Sequence, residues 1–431
     1  MGLERFLRRI ACYIGFSSQR YSTFWTSVTG NLSSETTSQP PAPTATDPSG
    51  LLFSPLTLRG LELRNRIVVA PMLTYSATGG FVNDWHLMHY GRLAAGGAGL
   101  VFLESTKVDP RGCSTPADLG LWKDAFVEPL RRIVELIRRS GAAAGIQLSH
   151  SGRKARKSVP WEGRAPLNDC PGVDHGEPWE IIAPSAIPHG PGYPTPRAMT
   201  RADIRQIVEA WGAAARRADD AGFDVVEIHG AHGYLIHQFL SAVANQRTDE
   251  YGGTLQNRMR LACEVARSVR SCWPAHKPLF FRISAVDDAG WEIDHSIALA
   301  QALKSEGVDV IDCSAGGMLD GASPVETPSY GYQVKYAQAI RSQADVPTMA
   351  VGMIVHADQA QRILNEGQAD LAALGRELLH NPNWPLDAAQ KLGIRNAFGI
   401  VAPSSGYWLE KRALNREIRP STWQTGIDGQ R

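Results

Sequence analysis

From Leu51 onward the chain alternates between two patterns. Short, nearly continuous apolar runs recur at 67–70, 100–104, 144–148, 225–229, 279–284, 310–314, 348–352 and 371–375. Runs of that length, interrupted by few polar residues, read as strands buried on both faces. Between and after them come longer stretches with apolar residues at helical spacing: 84–95, 125–139, 201–221, 255–269, 296–306, 334–343, 358–366 and a weaker one at 385–391. Thr200 followed by Asp203 forms a capping pair at the start of the third helix. Ahead of the first strand, Leu56–Leu58 and Leu61–Leu63 flank Arg59-Gly60, which predicts a small hairpin. Eight strand–helix alternations predict an α/β fold, a (β/α)8 TIM barrel. A doubly wound sheet would share the alternation, but it usually has fewer strands and carries a G-x-G-x-x-G turn when it binds dinucleotides. The chain has neither that turn nor a Walker A loop.

One interval breaks the rhythm. Residues 152–200, rich in Pro and Gly, separate the third strand from the third helix. A loop that long after a barrel strand lies on the active face, and it is expected to cap the site; a surface decoration is the alternative. The start of the chain differs from the rest. Residues 1–30 carry four arginines and one acid, Glu4, and Ser, Thr and Pro dominate up to Ser49. Such a basic, Ser-rich, acid-poor start fits a cleavable mitochondrial targeting peptide, the alternative being a disordered extension of a cytoplasmic protein. The expected organisation is an extension at 1–50, a barrel at 51–395 and a C-terminal tail at 396–431.

Composition narrows the classes. With 44 basic and 43 acidic side chains in 431 residues, the net charge is +1. That leaves no basic footprint for nucleic acid. No apolar run approaches the roughly 18 residues of a membrane span. The six cysteines include no C-x-x-C pair, which argues against a structural zinc or iron–sulfur site and fits a reducing compartment.

Barrel chemistry sits where strands end. Gly352, Gly375 and Arg376, at the seventh and eighth ends, suit a phosphate held by glycine-turn backbone N–H groups and an arginine; tight turns are the alternative. His229, His232 and Tyr234, at the fourth end, can polarise a carbonyl oxygen and supply a proton. They could instead ligate zinc, but no carboxylate stands in the motif as a third ligand, so no metal is expected. Two structural histidines are a further alternative. Gln147 and Arg282 are polar groups ending apolar strands, where a ligand or another protein group must pair with them. Gln147 offers both donor and acceptor to a ring amide edge, and Arg282 offers a fixed cation beside a ring bearing negative charge. Phosphate, ring edge and ring charge together point to flavin mononucleotide, FMN.

The chain resembles the old yellow enzyme family of flavin-dependent ene-reductases, most closely its bacterial-type, thermophilic-like subgroup. The match runs from about residue 52 to 382. It is carried by Arg64-Asn65-Arg66-Ile67, Ala70-Pro71-Met72, Gln147 with Gly152-Arg153-Lys154, Ala183-Pro184-Ser185, the His229–x–x–His232–x–Tyr234 element, Arg247-Thr248-Asp249-Glu250-Tyr251-Gly252-Gly253 and Gly375-Arg376-Glu377. The resemblance implies that Ala70, Pro71, Met72 and Leu73 line the flavin, with Ser105 and Gln147 at the ring edge. It likewise puts Arg282 beside the ring and Gly352, Gly375 and Arg376 at the phosphate. Tyr75, His229, His232 and Tyr234 would contact a small-molecule enone or related activated alkene. The two histidines would hold its carbonyl oxygen while Tyr234 protonates the α-carbon, with NADPH or NADH as reductant. Another FMN-barrel oxidoreductase, or a flavin-binding protein with little turnover, is the alternative. Three positions depart from the family. Leu73 stands where Cys or Thr is usual, which implies a flavin that is harder to reduce. Ala242 stands where Pro is frequent. The tail around Arg412 matches loosely a segment that reaches a neighbouring subunit, so a homo-oligomer is an expectation.

Overall fold

A computed structural model describes residues 50–167, 172–173, 179–319 and 328–415. The expected targeting segment, parts of the cap interval and the end of the tail lie outside the described residues. The eight apolar runs form strands β1 (Ile67–Val69), β2 (Leu100–Lys107), β3 (Ala143–Ser149), β4 (Val225–Gly230), β5 (Leu279–Ser284), β6 (Val310–Ser314), β7 (Thr348–Ala350) and β8 (Leu371–Leu374). All are parallel, each pairs with the next, and β8 closes on β1 through Ala372–Ile67 and Leu374–Val69.

The continuous apolar runs have a geometric cause. Successive side chains of a strand point to opposite faces, and here both faces are dry. One face fills the barrel interior with Val68, Leu100, Phe102, Val225, Phe280, Val310, Met349 and Leu371. Leu58 and Leu63 of the hairpin join this inner cluster. The alternate residues, such as Ile67, Val69, Val101 and Leu103, belong to the outer core beneath the helices. Gly145 of β3 is small because Phe102 lies across it; a Cβ there would come within 2.5 Å of the ring.

The outer helices are α1 (Asp84–Ala95), α2 (Val127–Arg139), α3 (Arg201–Asp220), α4 (Leu255–Cys272), α5 (Ile293–Ser305), α6 (Val334–Ala344), α7 (Ala357–Asn365) and α8 (Trp384–Lys391). Thr200 and Asp203 make the expected reciprocal cap on α3, with Asp203 Oδ2 accepting from Thr200 N at 2.7 Å.

Strand ends differ from the sequence pattern in two instructive places. β2 continues past Glu104 to Lys107, because the polar end of the strand still pairs with β3 after a register shift between Leu103 and Ser105. β7 stops at Ala350, since Gly352 and Met353 turn into the left-handed region with φ of 115° and 49°. The cap interval contains short 3-10 turns at Gly152–Lys154 and Pro160–Glu162 and a two-residue pairing of Ile182–Ala183 with Arg197–Ala198. The tail includes a helix, Pro403–Ala413, and its preceding turn is tied down by Arg64, whose Nη1 donates to the Ile400 carbonyl at 3.0 Å. Among the described residues no helix is long and apolar enough to cross a membrane.

Candidate active site

The strand ends bring three groups of residues together. The first is the segment after β1. Ala70 N donates to Leu374 O at 3.0 Å, which carries Pro71, Met72, Leu73 and Thr74 onto the barrel rim in half-buried positions. Glu104 of β2 fixes this segment: its carboxylate accepts from Thr74 N at 2.8 Å, Thr74 Oγ1 at 2.7 Å and Tyr90 Oη at 3.1 Å. Burial disfavours its charge and pushes its pKa up to about 7, although the Thr74 donors pull the other way. Met72 also reaches the eighth strand end. A Cβ on Gly375 would sit 3.4 Å from Met72 Sδ, so the expected flavin-lining segment and the expected phosphate turn touch.

The second group is a polar belt across the barrel mouth. Strand register puts Ser105 beside Gln147, Gln147 beside Glu227, and Arg282 between His229 and Asp312. Gln147 Nε2 donates to Glu227 Oε1 at 2.7 Å, and Arg282 Nε lies 3.1 Å from Asp312 Oδ2. Burial drives the carboxyl pKa of both Glu227 and Asp312 upward. Their mutual repulsion adds to the rise at Glu227, and Arg282 opposes it at both. Two buried acids facing one guanidinium therefore both resist ionisation more than ordinary carboxyls do. Glu227 Oε2 and Asp312 Oδ1 have no hydrogen-bond partner.

The third group is the substrate side. Tyr75, His232 and Tyr234 line one cavity of 210 Å³. The cap interval supplies Lys154, Lys157, Ser158, Pro160 and Arg164 to its walls. His232 sits at φ 56°, and three bonds fix it there. Its N–H donates to Ser284 Oγ at 2.9 Å, its carbonyl accepts from Lys154 Nζ at 2.9 Å, and its Nε2 pairs with Ser314 Oγ at 2.7 Å. His229 is not among the residues lining this cavity. It lies edge-on to both neighbours, with ring centroids 5.1 Å from His232 and 5.0 Å from Tyr234, and its Nδ1 has no partner. Burial, reinforced by the nearby cation Arg282, holds both imidazole pKa values well below the usual histidine range, so both rings are neutral. Tyr234 opens the short helix Leu235–Leu240, and its hydroxyl accepts from Ser114 Oγ at 3.3 Å. Burial raises the Tyr75 phenol pKa. Among the described residues no group of three or more His, Cys, Asp and Glu side chains could hold a metal ion.

The seventh and eighth strands are followed by Gly352 and Gly375. A Cβ on Gly352 would fall 2.6 Å from Gln333 Nε2, and its φ is 115°, so only glycine fits. Gly375 precedes the short helix Arg376–His380 and brings no side-chain cap to it; Arg376 is exposed.

A family model described as NADH:flavin oxidoreductase / NADH oxidase matches residues 51–394. The chain belongs to that family. An NADPH dehydrogenase of Geobacillus thermodenitrificans (strain NG80-2) is 46% identical over 350 residues, covering 80% of this chain and 95% of the relative. Morphinone reductase superposes with a TM-score of 0.67 at 26% identity, over 84% of this chain and 94% of its own. An old yellow enzyme homologue from Zymomonas mobilis superposes at 0.63 with 27% identity, over 79% and 92%. This member of the old yellow enzyme family is thus an FMN-dependent NAD(P)H dehydrogenase.

The residues on the rim fit FMN. The Gly352 turn admits no side chain, and Arg282 Nε makes no hydrogen bond despite its ion pair with Asp312. Several residues of this site escaped the sequence reading. Glu104, Glu227 and Asp312 were visible as acids inside apolar runs, a pattern that demands a buried partner. Lys107 lies two residues beyond Ser105, so the period of a strand puts both on one face. Ser114 lies in a loop without periodicity and gave no signal.

Proposed function

We propose that this dehydrogenase reduces the carbon–carbon double bond of α,β-unsaturated carbonyl compounds. The observation that supports this reading is one cavity wall carrying neutral His232 and Tyr234, with neutral His229 against both rings. Bound FMN supplies hydride, taken from NADPH or NADH, to the β-carbon of the alkene. Pro71, Met72, Leu73, Ser105, Gln147 and Arg282 are then the residues that hold the ring, and Gly352, Gly375 and Arg376 hold the phosphate.

A neutral imidazole donates a hydrogen bond to a carbonyl oxygen without first surrendering its proton. His229 and His232 serve that role as negative charge builds on the oxygen. Tyr234 gives a proton to the α-carbon, breaking its O–H bond as the new C–H bond forms. Tyr75 lines the same cavity and narrows the site. Arg412 is the candidate contact to a neighbouring copy, since it lies on the exposed C-terminal helix with Tyr407 and Trp408.

Stopped-flow separation of the two half-reactions tests the assignment. Tyr234→Phe is expected to slow alkene reduction by about 100-fold or more, the range for loss of a general acid, while flavin reduction by NADPH keeps its rate. Equal loss in both half-reactions would reject the donor role. Replacing both histidines is expected to weaken binding of a phenolic ligand, and unchanged binding would reject the anchor role.

A further inference from the structure

Lys107 ends β2 with its side chain wholly buried. Its ammonium donates to Ser105 Oγ at 2.7 Å, lies 3.5 Å from Asp118 Oδ2, and stands 5.0 Å from the centroid of the Tyr234 ring. Asp118 is equally buried and is itself held, accepting from Ser114 N at 2.6 Å and from Thr115 Oγ1 at 2.8 Å. Ser114 returns to the same phenol: its hydroxyl pairs with Ser151 Oγ at 2.6 Å and donates to Tyr234 Oη at 3.3 Å. One bonded network therefore joins a cation, its counter-ion and four Ser and Thr hydroxyls to the phenol, and it meets the cavity at Tyr234, Ser114 and Thr115.

Stability alone does not account for this arrangement. A buried ion pair rarely stabilises a fold more than apolar side chains of the same volume. The neighbouring strand positions show that the barrel can fill such space with Leu and Phe.

We propose that Lys107 is a positioning residue for the proton transfer, holding the negative charge left on the Tyr234 oxygen. The inference rests on the reading of Tyr234 as proton donor. The step balances as follows. The Tyr234 O–H bond breaks, the α-carbon–hydrogen bond forms, and the charge carried by the reduced substrate passes to the phenol oxygen. Lys107 faces that charge from below the ring. A proton from cavity water then restores the phenol through the Ser114 hydroxyl, which lines the cavity and donates to it. Asp118 keeps the ammonium in place and moderates its field.

Other titratable and charged groups also face Tyr234. His229 and His232 do so from its own loop, Tyr75 from the segment after β1, and Lys154, Lys157 and Arg164 from the cap. Lys107 differs from these cap cations in lying on the buried side of the phenol.

The test uses holoenzyme labelled with 13Cζ-tyrosine, with the Tyr234 resonance assigned by its absence in Tyr234→Phe. Lys107→Gln removes the charge and keeps a hydrogen-bonding side chain. The phenol is expected to titrate about one unit higher, or more, in this variant. Asp118→Asn leaves the cation unopposed and is expected to shift the titration downward. Opposite signs from two neighbouring substitutions are a signature that general damage to the fold does not produce. Asp118→Asn also decides the question if Lys107→Gln does not fold.

In stopped flow, Lys107→Gln is expected to slow alkene reduction about tenfold, corresponding to a one-unit shift, and to slow it more than the NADPH step. Lys107→Arg should restore much of the rate. In the Tyr234→Phe background, Lys107→Gln should add no further loss to alkene reduction. An unmoved Tyr234 titration in both charge variants would overturn the inference. Full alkene reduction by Tyr234→Phe would instead overturn the donor reading, and the tyrosine titration would still report whether Lys107 acts on that phenol.

Discussion

Glu104 makes a quantitative test of what governs the flavin-side rim. Its carboxyl is wholly buried and accepts from three donors, two of them on Thr74. Burial wins over those bonds and raises its pKa to about 7 from the ordinary 4.5. Below pH 4.5 the group is protonated in both folded and unfolded chains and contributes no pH dependence. Between those values the unfolded chain loses its proton while the folded chain keeps it, so stability falls as pH rises, and it levels off above pH 7. From pH 5 to pH 8 the loss is about 2.5 kcal/mol at 1.36 kcal/mol per unit. Glu104→Gln keeps the shape and most hydrogen bonds but does not titrate. An unfolding entropy of about 0.8 kcal/mol/K, appropriate to a chain of this size, converts that loss to roughly 3 °C. The assay is thermal unfolding of both proteins at pH 5 and pH 8, read as the difference in Tm. The gap, variant minus wild type, is expected to widen by about that amount at the higher pH. A gap that stays constant or narrows would show that the Thr74 and Tyr90 donors hold Glu104 ionised at an ordinary pKa, and the burial argument would fail.

Two further outcomes follow from particular positions. Leu73 offers the flavin no hydrogen-bond donor, so Leu73→Thr or Leu73→Cys is expected to raise the midpoint potential; one bond of about 1 kcal/mol favouring the reduced ring corresponds to roughly 20 mV for a two-electron couple. Spectroelectrochemical titration checks this, and an unchanged potential in both variants would refute it. Gly352→Ala places a Cβ 2.6 Å from Gln333 Nε2 at a φ of 115°, so it is expected to cost about 1–3 kcal/mol of stability and to lower the ratio of bound FMN to protein.

The barrel was legible because its strands are buried on both faces. Uninterrupted runs such as Leu100-Val101-Phe102-Leu103 have no other use in a chain of this size. The strand ends were legible for the same reason: Gln147, His229 and Arg282 stand out against apolar neighbours. The true end of β2 was not, because Ser105, Thr106 and Lys107 read as a loop until the ladder to β3 is seen to continue through Ser105–Gln147 and Lys107–Ser149. Pairing between distant segments leaves no periodic trace in either one. Ser114 and Asp118 were hidden for a related reason. They lie in the loop after β2, and only three-dimensional contact joins them to Tyr234 and Lys107. His232 was foreseen by spacing, but its place in the cavity lining without His229 was not. The φ of 56° at His232, together with the Ser284 and Ser314 bonds, fixes that residue, and His229 packs edge-on against its ring.

These placements explain why two imidazoles and a phenol can share one site without exchanging roles. An imidazolium would be a stronger acid than a phenol and would compete to protonate the substrate. Burial above all disfavours it at His229, and His232 and the nearby cations add to that. Arg282 from β5 and Lys107 from β2 both add to burial in depressing the pKa of that ring. Neither cation is itself an uncompensated buried charge. Lys107 is paired with Asp118, and Arg282 is paired with Asp312 beside Glu227. On the proposed reading the histidines only donate hydrogen bonds and proton release falls to Tyr234, whose hydroxyl accepts from Ser114 and whose ring faces Lys107. On this reading, replacing either cation does more than remove a local contact. It also removes one of the charges that disfavour a protonated His229.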